Sequence, residues 1–449
     1  MELIAGRAPL ESALRKAQWR IIPLLALCYL VAYMDRANIS FAAESMNRDL
    51  HFSAKVYGLG AGLFFISYAL CEIPSNRLLL RFGARRWLAR IMLTWGAVAV
   101  GMSFVHSSRT FYATRLLLGV AEAGYFPGAL YCMSLWFPSA RRARAISWFY
   151  ISLPLSIAVM GAIAGTLLRL DGRLGLHGWQ WLFLIEGLPA VVLGVCIWFI
   201  LPDSPGSARW LNAAERSAVA AELASNQTGT HASPRTQLLW RVLRTPRVWV
   251  LGLFAVCIYA PIYGLSFFLP QLVANATKLP AQSAGFLIAL AGVLGAPAML
   301  LGAAHSDRSG DRRWHIMVPS GLIAPLMIIA AIDLRNVTAA VALLLTTVLY
   351  MAMQGPWMTV VTEACDGEAA ALAIATINMC GILGGFIGPY WMGWMREWMG
   401  SYAVGLGAMS VSWIVAVGCI AWATRSSPKA TMLEQPITVE LVAATEKSL

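Results

Sequence analysis

The chain has 449 residues, of which 59% are hydrophobic and only 12% are charged, and it carries a net charge of +12. Since a soluble domain has about 25% charged residues, most of this chain cannot face water. The basic residues stand in short turns between apolar runs and form no continuous stripe or arm, so we expect the lipid bilayer, and no nucleic acid, as the partner of this surface.

Apolar runs of the length that crosses a bilayer, about 20 residues, recur along the chain. They do not alternate in polarity as the strands of an outer-membrane barrel would. We therefore predict an all-α integral membrane protein with twelve transmembrane helices, near residues 18–42, 56–79, 87–106, 109–136, 144–169, 179–201, 247–274, 282–304, 315–333, 337–362, 369–395 and 399–424.

The basic turns alternate along the chain and set the orientation. They precede helix 1 and join helices 2 and 3, 4 and 5, and 8 and 9, whereas the opposite loops carry mixed charge. The positive-inside rule then places both termini in the cytoplasm of a bacterial inner-membrane protein. The predicted units are a cytoplasmic N-terminal segment 1–17, an N-terminal six-helix bundle 18–201, a cytoplasmic linker 202–246, a C-terminal six-helix bundle 247–424 and a cytoplasmic tail 425–449.

One seven-residue pattern, Arg-x-Gly-x-Arg-Arg-Trp, occurs after the second predicted helix of each half, at 81–87 and at 308–314. Each copy is followed at once by another apolar run. Basic turns at corresponding places in two halves are typical of transporters built from repeats. The polar stretch between the halves predicts a short amphipathic helix at Ala208–Leu223.

Ionisable side chains inside the predicted helices are costly, at least about 2.5–3.5 kcal/mol at the bilayer centre, and therefore point to the bundle interior. Helix 1 carries Asp35 and Arg36, helix 4 carries Arg115 and Glu122, and helix 2 carries Glu72. Two turns of helix put Arg115 and Glu122 on one face, too far apart to contact each other. We therefore predict a central cluster in which helix 1 supplies their partners.

Two interpretations of this cluster are open. It either fixes helix register as a buried ion-pair network or marks the path of an ion and a substrate. In the second case Arg36 and Arg115 bind an anion, because a guanidinium stays charged and matches a carboxylate. Asp35 and Glu122 are then the proton carriers, since a carboxyl in a dry site takes up a proton readily.

Further polar and aromatic residues are candidates for the same path. Tyr68 shares a helix face with Glu72, and Tyr263 with Tyr259. The phrase 354–357, which ends in Trp357, is predicted to interrupt helix 10, and Asn378 precedes a glycine series in helix 11. Ordinary packing or interface anchoring is the alternative for each of them. The eight cysteines form no Cys-x-x-Cys pair, so we expect no metal and no cofactor.

These residues resemble the major facilitator superfamily, and more narrowly its anion:cation symporter family. That family includes bacterial tartrate, phthalate and sugar-acid permeases and, in animals, sialin and the vesicular glutamate transporters. The resemblance covers about residues 18–424 and is carried by the phrases at 33–42, 72–76, 83–92, 115–128, 202–205, 302–313 and 384–389.

The resemblance implies proton coupling and carboxylate binding by the four charged residues of helices 1 and 4, and pocket contributions from Tyr68, Tyr263, Trp357 and Asn378. It also implies a gating motif in the basic turns: Arg81, Gly83, Arg85, Arg86, Asp307, Arg308, Gly310, Arg312 and Arg313. Leu80 stands where the motif usually has Asp, so the first latch is expected to be weaker or differently made. Ile382 stands where relatives often have Asn, which favours a less hydroxylated substrate.

The sequence thus predicts a proton-coupled symporter that imports a small organic anion by alternating access and works as a monomer. Tartrate-like dicarboxylates, sugar acids and aromatic acids all suit two arginines in an aromatic-lined cavity. The alternatives are an anion exchanger, a transporter-like receptor and a proton/drug antiporter, although the Gly-Pro signature of antiporters is missing from helix 5. The sequence contains no nucleophile–base pair of the kind that would indicate an enzyme.

Overall fold

The computed structural model describes residues 7–225, 240–364 and 369–425, and within these ranges it contains helices and no strand. Twelve of the described helices are long and apolar enough to cross a membrane, which confirms the predicted fold class. We number them α1 Arg7–Asp49, α2 Ala54–Phe82, α3 Ala84–Gly101, α4 Ser108–Glu122 with Tyr125–Trp136, α5 Ser139–Tyr150 with Ser152–Leu168, α6 Gly178–Ile200, α7 Pro246–Thr277, α8 Ala281–Ser309, α9 Arg313–Ile332, α10 Val337–Thr362, α11 Ala369–Met399 and α12 Ala403–Ala423.

α1 begins at Arg7, well before the predicted start at residue 18. The added turns are amphipathic, and their buried side, including Leu14, packs against a short helix at Ala213–Ser225 that we call the linker helix. Lys16 Nζ donates to Glu215 Oε1 of the linker helix at 2.7 Å. Hydropathy misses these turns because a neighbouring helix, and not lipid, buries their apolar side.

The packing of α1–α6 repeats in α7–α12. In the first half α2 packs on α4 and α3 on α6, and in the second half α8 packs on α10 and α9 on α12. Between the halves α2 packs against α11 and α5 against α8, which is again an equivalent pair. Such repetition is expected of two halves related by a pseudo-twofold axis.

Glycine brings the two halves together at the end of the bundle opposite the linker helix. A Cβ atom at Gly161 of α5 would lie 2.5 Å from the carbonyl oxygen of Gly285 in α8. One at Gly58 of α2 would lie 2.4 Å from the carbonyl oxygen of Pro389 in α11. Because no side chain fits these distances, the backbones of the two halves touch here as small residues allow in membrane bundles.

The hydrogen bonds between the halves, like the close glycine contacts, are stronger at the end opposite the linker helix. At the end away from the linker helix, Tyr57 Oη donates to the carbonyl oxygen of Phe267 at 2.9 Å. Nearer the linker end, the only hydrogen bond between described residues of the two halves is a long one, from Tyr150 Oη to Met358 Sδ at 3.8 Å. The space between the halves is therefore closed at one end and opens toward the linker helix.

Candidate functional site

A cavity of about 210 Å³ lies between the two halves, lined by residues of α1, α2, α4, α5, α7, α10 and α11. A single buried water needs about 10–15 Å³ on a comparable measure, so there is room for a small organic molecule together with water. Tyrosine and phenylalanine supply 11 of the 26 lining residues. Among the described lining residues only Arg36 and Glu72 are charged.

Arg36 forms the charged part of the cavity wall and pairs with a carboxyl behind it. Its Nε and Nη2 atoms both donate to Glu122 Oε1, at 2.9 Å and 2.5 Å. The Arg36 side chain is 16% exposed, whereas that of Glu122 is 1% exposed. Glu122 Oε2 has no hydrogen-bond partner among the described residues. The guanidinium thus stands between the buried carboxyl and the cavity.

Three aromatic rings hold the Arg36 guanidinium in this place. Its central carbon lies 5.1 Å from the ring centre of Tyr33, 5.4 Å from that of Phe64 and 5.3 Å from that of Tyr68. Each such contact stabilises a cation by about 0.5–2 kcal/mol, depending on its exposure. Arg36 therefore keeps a favourable environment even when its bonds to Glu122 are exchanged for bonds to another anion.

Glu122 is the last residue of the first segment of α4. The helix breaks at Ala123 and Gly124, and Gly124 adopts a φ of +89°, which a residue with a side chain rarely takes. A Cβ atom there would also lie 2.4 Å from Ser75 Oγ of α2. The sequence Glu-Ala-Gly thus places the carboxyl at a break in the helix.

Arg115 lies inside the N-terminal half and does not line the cavity in this conformation. Its Nε donates to the carbonyl oxygen of Gly60 at 3.2 Å and its Nη2 to that of Ala61 at 3.3 Å. Its guanidinium carbon is 5.0 Å from the ring centre of Phe64, on which Arg36 also packs. Direct contact of Arg115 with a substrate remains a prediction.

Asp35 points away from the cavity although it is the neighbour of Arg36. Its Oδ2 accepts a hydrogen bond from Trp95 Nε1 at 2.8 Å and its Oδ1 accepts one from Asn38 Nδ2 at 3.0 Å. It interacts electrostatically with Arg115 without contacting it. The predicted cluster is thus brought together, but only Arg36 and Glu122 are in direct contact.

Sequence reasoning missed Glu186 in α6. It is 3% exposed, and neither carboxyl oxygen has a hydrogen-bond partner among the described residues. It lies near Asn38 and Asp35, with which its carboxyl interacts. The signal was present in the sequence, because an acidic residue in an apolar run is as costly here as in helix 1 or helix 4.

Three of the other predicted pocket residues line the cavity: Tyr68, Tyr263 and Asn378. Trp357 does not. It is buried behind the wall, and its Nε1 donates to Tyr259 Oη at 3.3 Å. Through this bond it supports a residue that does line the cavity.

α10 runs unbroken through Pro356, so the expected interruption of helix 10 is absent. The preceding turn carries Gln354, which lines the cavity and is 8% exposed. Its Nε2 atom has no hydrogen-bond partner among the described residues. Gln354 is therefore a further polar group of the wall.

The first basic turn forms an ion pair that the sequence pattern did not specify. Gly83 joins α2 and α3 with a φ of +86°. Arg85 donates from its backbone nitrogen to Asp203 Oδ1 at 3.1 Å, and its Nε lies 3.3 Å from Asp203 Oδ2. Asp203, which follows α6, thus provides the carboxylate that is missing at Leu80. Arg81 and Arg86 are exposed.

The second basic turn contains its own acidic partners. Arg312 Nη1 lies 2.7 Å from Asp307 Oδ1, and Gly310 ends α8 with a φ of +67°. Asp311 accepts hydrogen bonds from the backbone nitrogens of Arg313 and Trp314, both at 3.1 Å. Arg308 is exposed. The ion pairs described for the two turns lie within one half each, so they stabilise the turns and do not join the halves in this conformation.

Comparison with known proteins agrees with this architecture. Residues 25–389 match the family model described as Major Facilitator Superfamily. The chain is 41% identical to a putative tartrate transporter of Agrobacterium vitis, over 93% of this chain and 92% of that protein. It is 37% identical to a quinolone resistance transporter of Acinetobacter baumannii, over 89% and 92% of the two chains. A crystal structure of a bacterial homologue of the human lysosomal transporter Spinster, inward-facing and unoccupied, superposes with a TM-score of 0.76 at 18% identity, covering 92% of this chain and 99% of that one.

Proposed function

The chain belongs to the Major Facilitator Superfamily, and we propose that it is a proton-coupled symporter that imports a small organic anion by alternating access. It is a multi-pass transporter of a bacterial inner membrane. The name of the relative from Agrobacterium vitis supports an organic anion as substrate. A complete cavity is formed by the two halves of one chain, which supports a monomer as the functional unit.

The observation that carries this proposal is the position of the Arg36 guanidinium between a buried carboxyl and an open cavity. An arginine fork matches a carboxylate and binds it through two parallel hydrogen bonds. Arg36 directs Nε and Nη2 to a single oxygen of Glu122. A substrate carboxylate entering the cavity therefore competes with Glu122 for the same two donors.

This competition couples the substrate to a proton. When Glu122 takes up a proton it becomes neutral, its bonds to Arg36 weaken, and Arg36 turns its donors to the substrate carboxylate. When the proton leaves, Glu122 reclaims Arg36 and the substrate is released. Asp35 is proposed as a second proton carrier, and Arg115 stabilises the cluster from behind. A monoanion moving with one proton carries no net charge, so its accumulation follows the proton concentration gradient alone.

The orientation follows from the basic turns. We propose that both termini and the linker 202–246 are cytoplasmic, so that the cavity opens to the cytoplasm in this conformation. Rocking of the halves about the central site would close this end and open the other. The turns at 81–87 and 308–314 lie at the cytoplasmic end, where we propose that they act as the gate.

Reconstituted protein in liposomes tests the proposal. An inward proton gradient should drive accumulation of an organic anion, and a protonophore should abolish it. Glu122→Gln should abolish proton-driven uptake but retain exchange of labelled for unlabelled anion, because a neutral amide frees Arg36 permanently. The matched control is Glu44→Gln, which changes an exposed carboxyl near the C-terminal end of α1. This variant should retain both proton-driven uptake and exchange. Proton-driven uptake by Glu122→Gln at the wild-type rate would contradict the coupling role.

A second candidate function is export of an organic anion in exchange for protons. It is favoured by the similarity to the quinolone resistance transporter. Liposomes loaded with substrate separate the two functions. In an antiporter an inward proton gradient accelerates loss of the substrate, whereas in a symporter it drives uptake.

A further inference from the structure

Positive charge in the cavity is limited to one group. Arg36 is the only lysine or arginine among the described lining residues, and the other charged lining residue is Glu72. A ligand with two carboxylates would place one on Arg36. The other would then lie in a half-enclosed space without a cation, which is unfavourable because a buried charge needs a partner.

The serine and threonine hydroxyls of the wall are already engaged, so its remaining hydroxyl donors belong to tyrosine rings. Ser156, Ser266 and Thr347 line the cavity, but each hydroxyl donates to a carbonyl oxygen of its own helix, at 2.7, 2.7 and 3.2 Å. Tyrosine and phenylalanine supply 11 of the other 23 lining residues. Such a wall suits a flat, largely apolar body that packs between rings.

The wall of the C-terminal half carries two amide side chains, Asn378, which is exposed, and Gln354, which is buried. Gln354 is 8% exposed, and its Nε2 atom has no hydrogen-bond partner among the described residues. An amide donor in this position costs free energy unless a ligand or water accepts from it. It lies on the half of the protein that does not contain Arg36.

We propose that the substrate is a ring-containing monocarboxylate with a neutral hydrogen-bond acceptor at the end remote from its carboxylate. Arg36 binds the carboxylate, the aromatic wall packs on the ring and Gln354 donates to the remote acceptor. This inference rests on the proposed function and selects, among organic anions, aromatic monocarboxylic acids over tartrate-like dicarboxylates.

The test compares ligands that differ in one group, with purified protein in liposomes under an inward proton gradient. 4-Hydroxybenzoate and terephthalate share a ring and a carboxylate and differ in whether the remote group is neutral or charged. We expect terephthalate and tartrate to have an apparent affinity weaker than 4-hydroxybenzoate by roughly 100-fold or more. Equal or better uptake of either dicarboxylate would overturn this inference and leave organic-anion transport intact. Uptake of none of these acids would overturn the proposed function and this inference with it.

Variants at Gln354 test the role of the remote donor. In Gln354→Leu the preference for 4-hydroxybenzoate over benzoate should fall by roughly 3- to 10-fold. The ratio of the two ligands is measured on one preparation, so a loss of folded protein cancels. Gln354→Arg adds a second cation and should narrow the difference between terephthalate and 4-hydroxybenzoate. An unchanged ratio in Gln354→Leu would contradict the assignment of Gln354 as the donor.

Discussion

Removal of Arg36 tests whether a charge pair lies at the centre of the protein. Arg36→Met replaces the guanidinium with an apolar side chain of similar length, which retains contact with the surrounding rings. Glu122, 1% exposed, then loses both of its hydrogen bonds. Glu122 Oε2 has no hydrogen-bond partner among the described residues, so no remaining bond offsets this loss. Breaking a buried pair by removing one partner costs about 3–5 kcal/mol, and we expect a loss of stability of that order.

The double variant Arg36→Met/Glu122→Gln separates the charge effect from the packing effect. Replacing both members of a buried pair by neutral groups is often close to neutral in stability. The double variant should therefore regain most of the loss, and the coupling free energy should be about 2 kcal/mol or more. The loss in the single variant should also shrink as the pH falls, because protonation neutralises the isolated carboxyl.

Thermal unfolding in detergent at one fixed scan rate, followed by intrinsic fluorescence, measures these differences. The four proteins compared are the wild type, Arg36→Met, Glu122→Gln and the double variant. The reasoning would be refuted if Arg36→Met were no less stable than the double variant at neutral pH. Glu122 would then be neutral beside Arg36 at rest. Its protonation could not be the event that releases the guanidinium.

Three further outcomes are expected. Glu186→Gln should keep proton-driven uptake near the wild-type value, because Glu186 neither lines the cavity nor bonds to Arg36; loss of uptake would instead make Glu186 a proton carrier. Gly161→Ala should weaken closure of the end opposite the linker helix, since its Cβ atom would lie 2.5 Å from a backbone oxygen of α8, and cysteine-labelling rates at that end should rise; Gly418→Ala, which meets nothing within 4 Å, is the control and should not change them. The hydrogen bond from Lys16 lowers the pKa of Glu215 from 4.5 to about 2; the stabilisation that Glu215 provides is complete above the unfolded value of 4.5 and is lost as the pH falls through about 2. Glu215→Gln should therefore lower the unfolding temperature equally at pH 7 and pH 5, and a difference that disappeared between these pH values would contradict the assignment.

The cost of charge in a membrane made the central residues predictable, but not their pairing. Asp35 and Arg36 are adjacent on α1, and neighbours on a helix differ by about 100° in direction. α1 packs against α6, and the hydrogen bond from Trp95 of α3 holds Asp35 away from the cavity, while Arg36 meets it. A rotation of α1 by about 100°, the angle between successive residues, would exchange the directions of Asp35 and Arg36. Only the assembled bundle therefore decides which of them faces a substrate.

The basic turns that we propose as the gate likewise combine features visible in the sequence with a contact that only the fold creates. The repeated basic turns are visible in the sequence, and Leu80 shows that the usual acidic partner is missing from the first. The replacement is Asp203, which lies far along the chain and reaches Arg85 because α6 ends beside the turn between α2 and α3. No local pattern links these residues.

The sequence by itself determined the twelve helices, their division into two halves and the presence of a costly central charge cluster. A helix in lipid must satisfy its own backbone hydrogen bonds and be apolar along its length, so hydropathy suffices to locate it. Tertiary structure alone decided which polar groups face the cavity, which lie behind it and which end of the bundle is open. These properties depend on helix rotation and on contacts between distant segments, and the hydropathy of a single helix constrains neither.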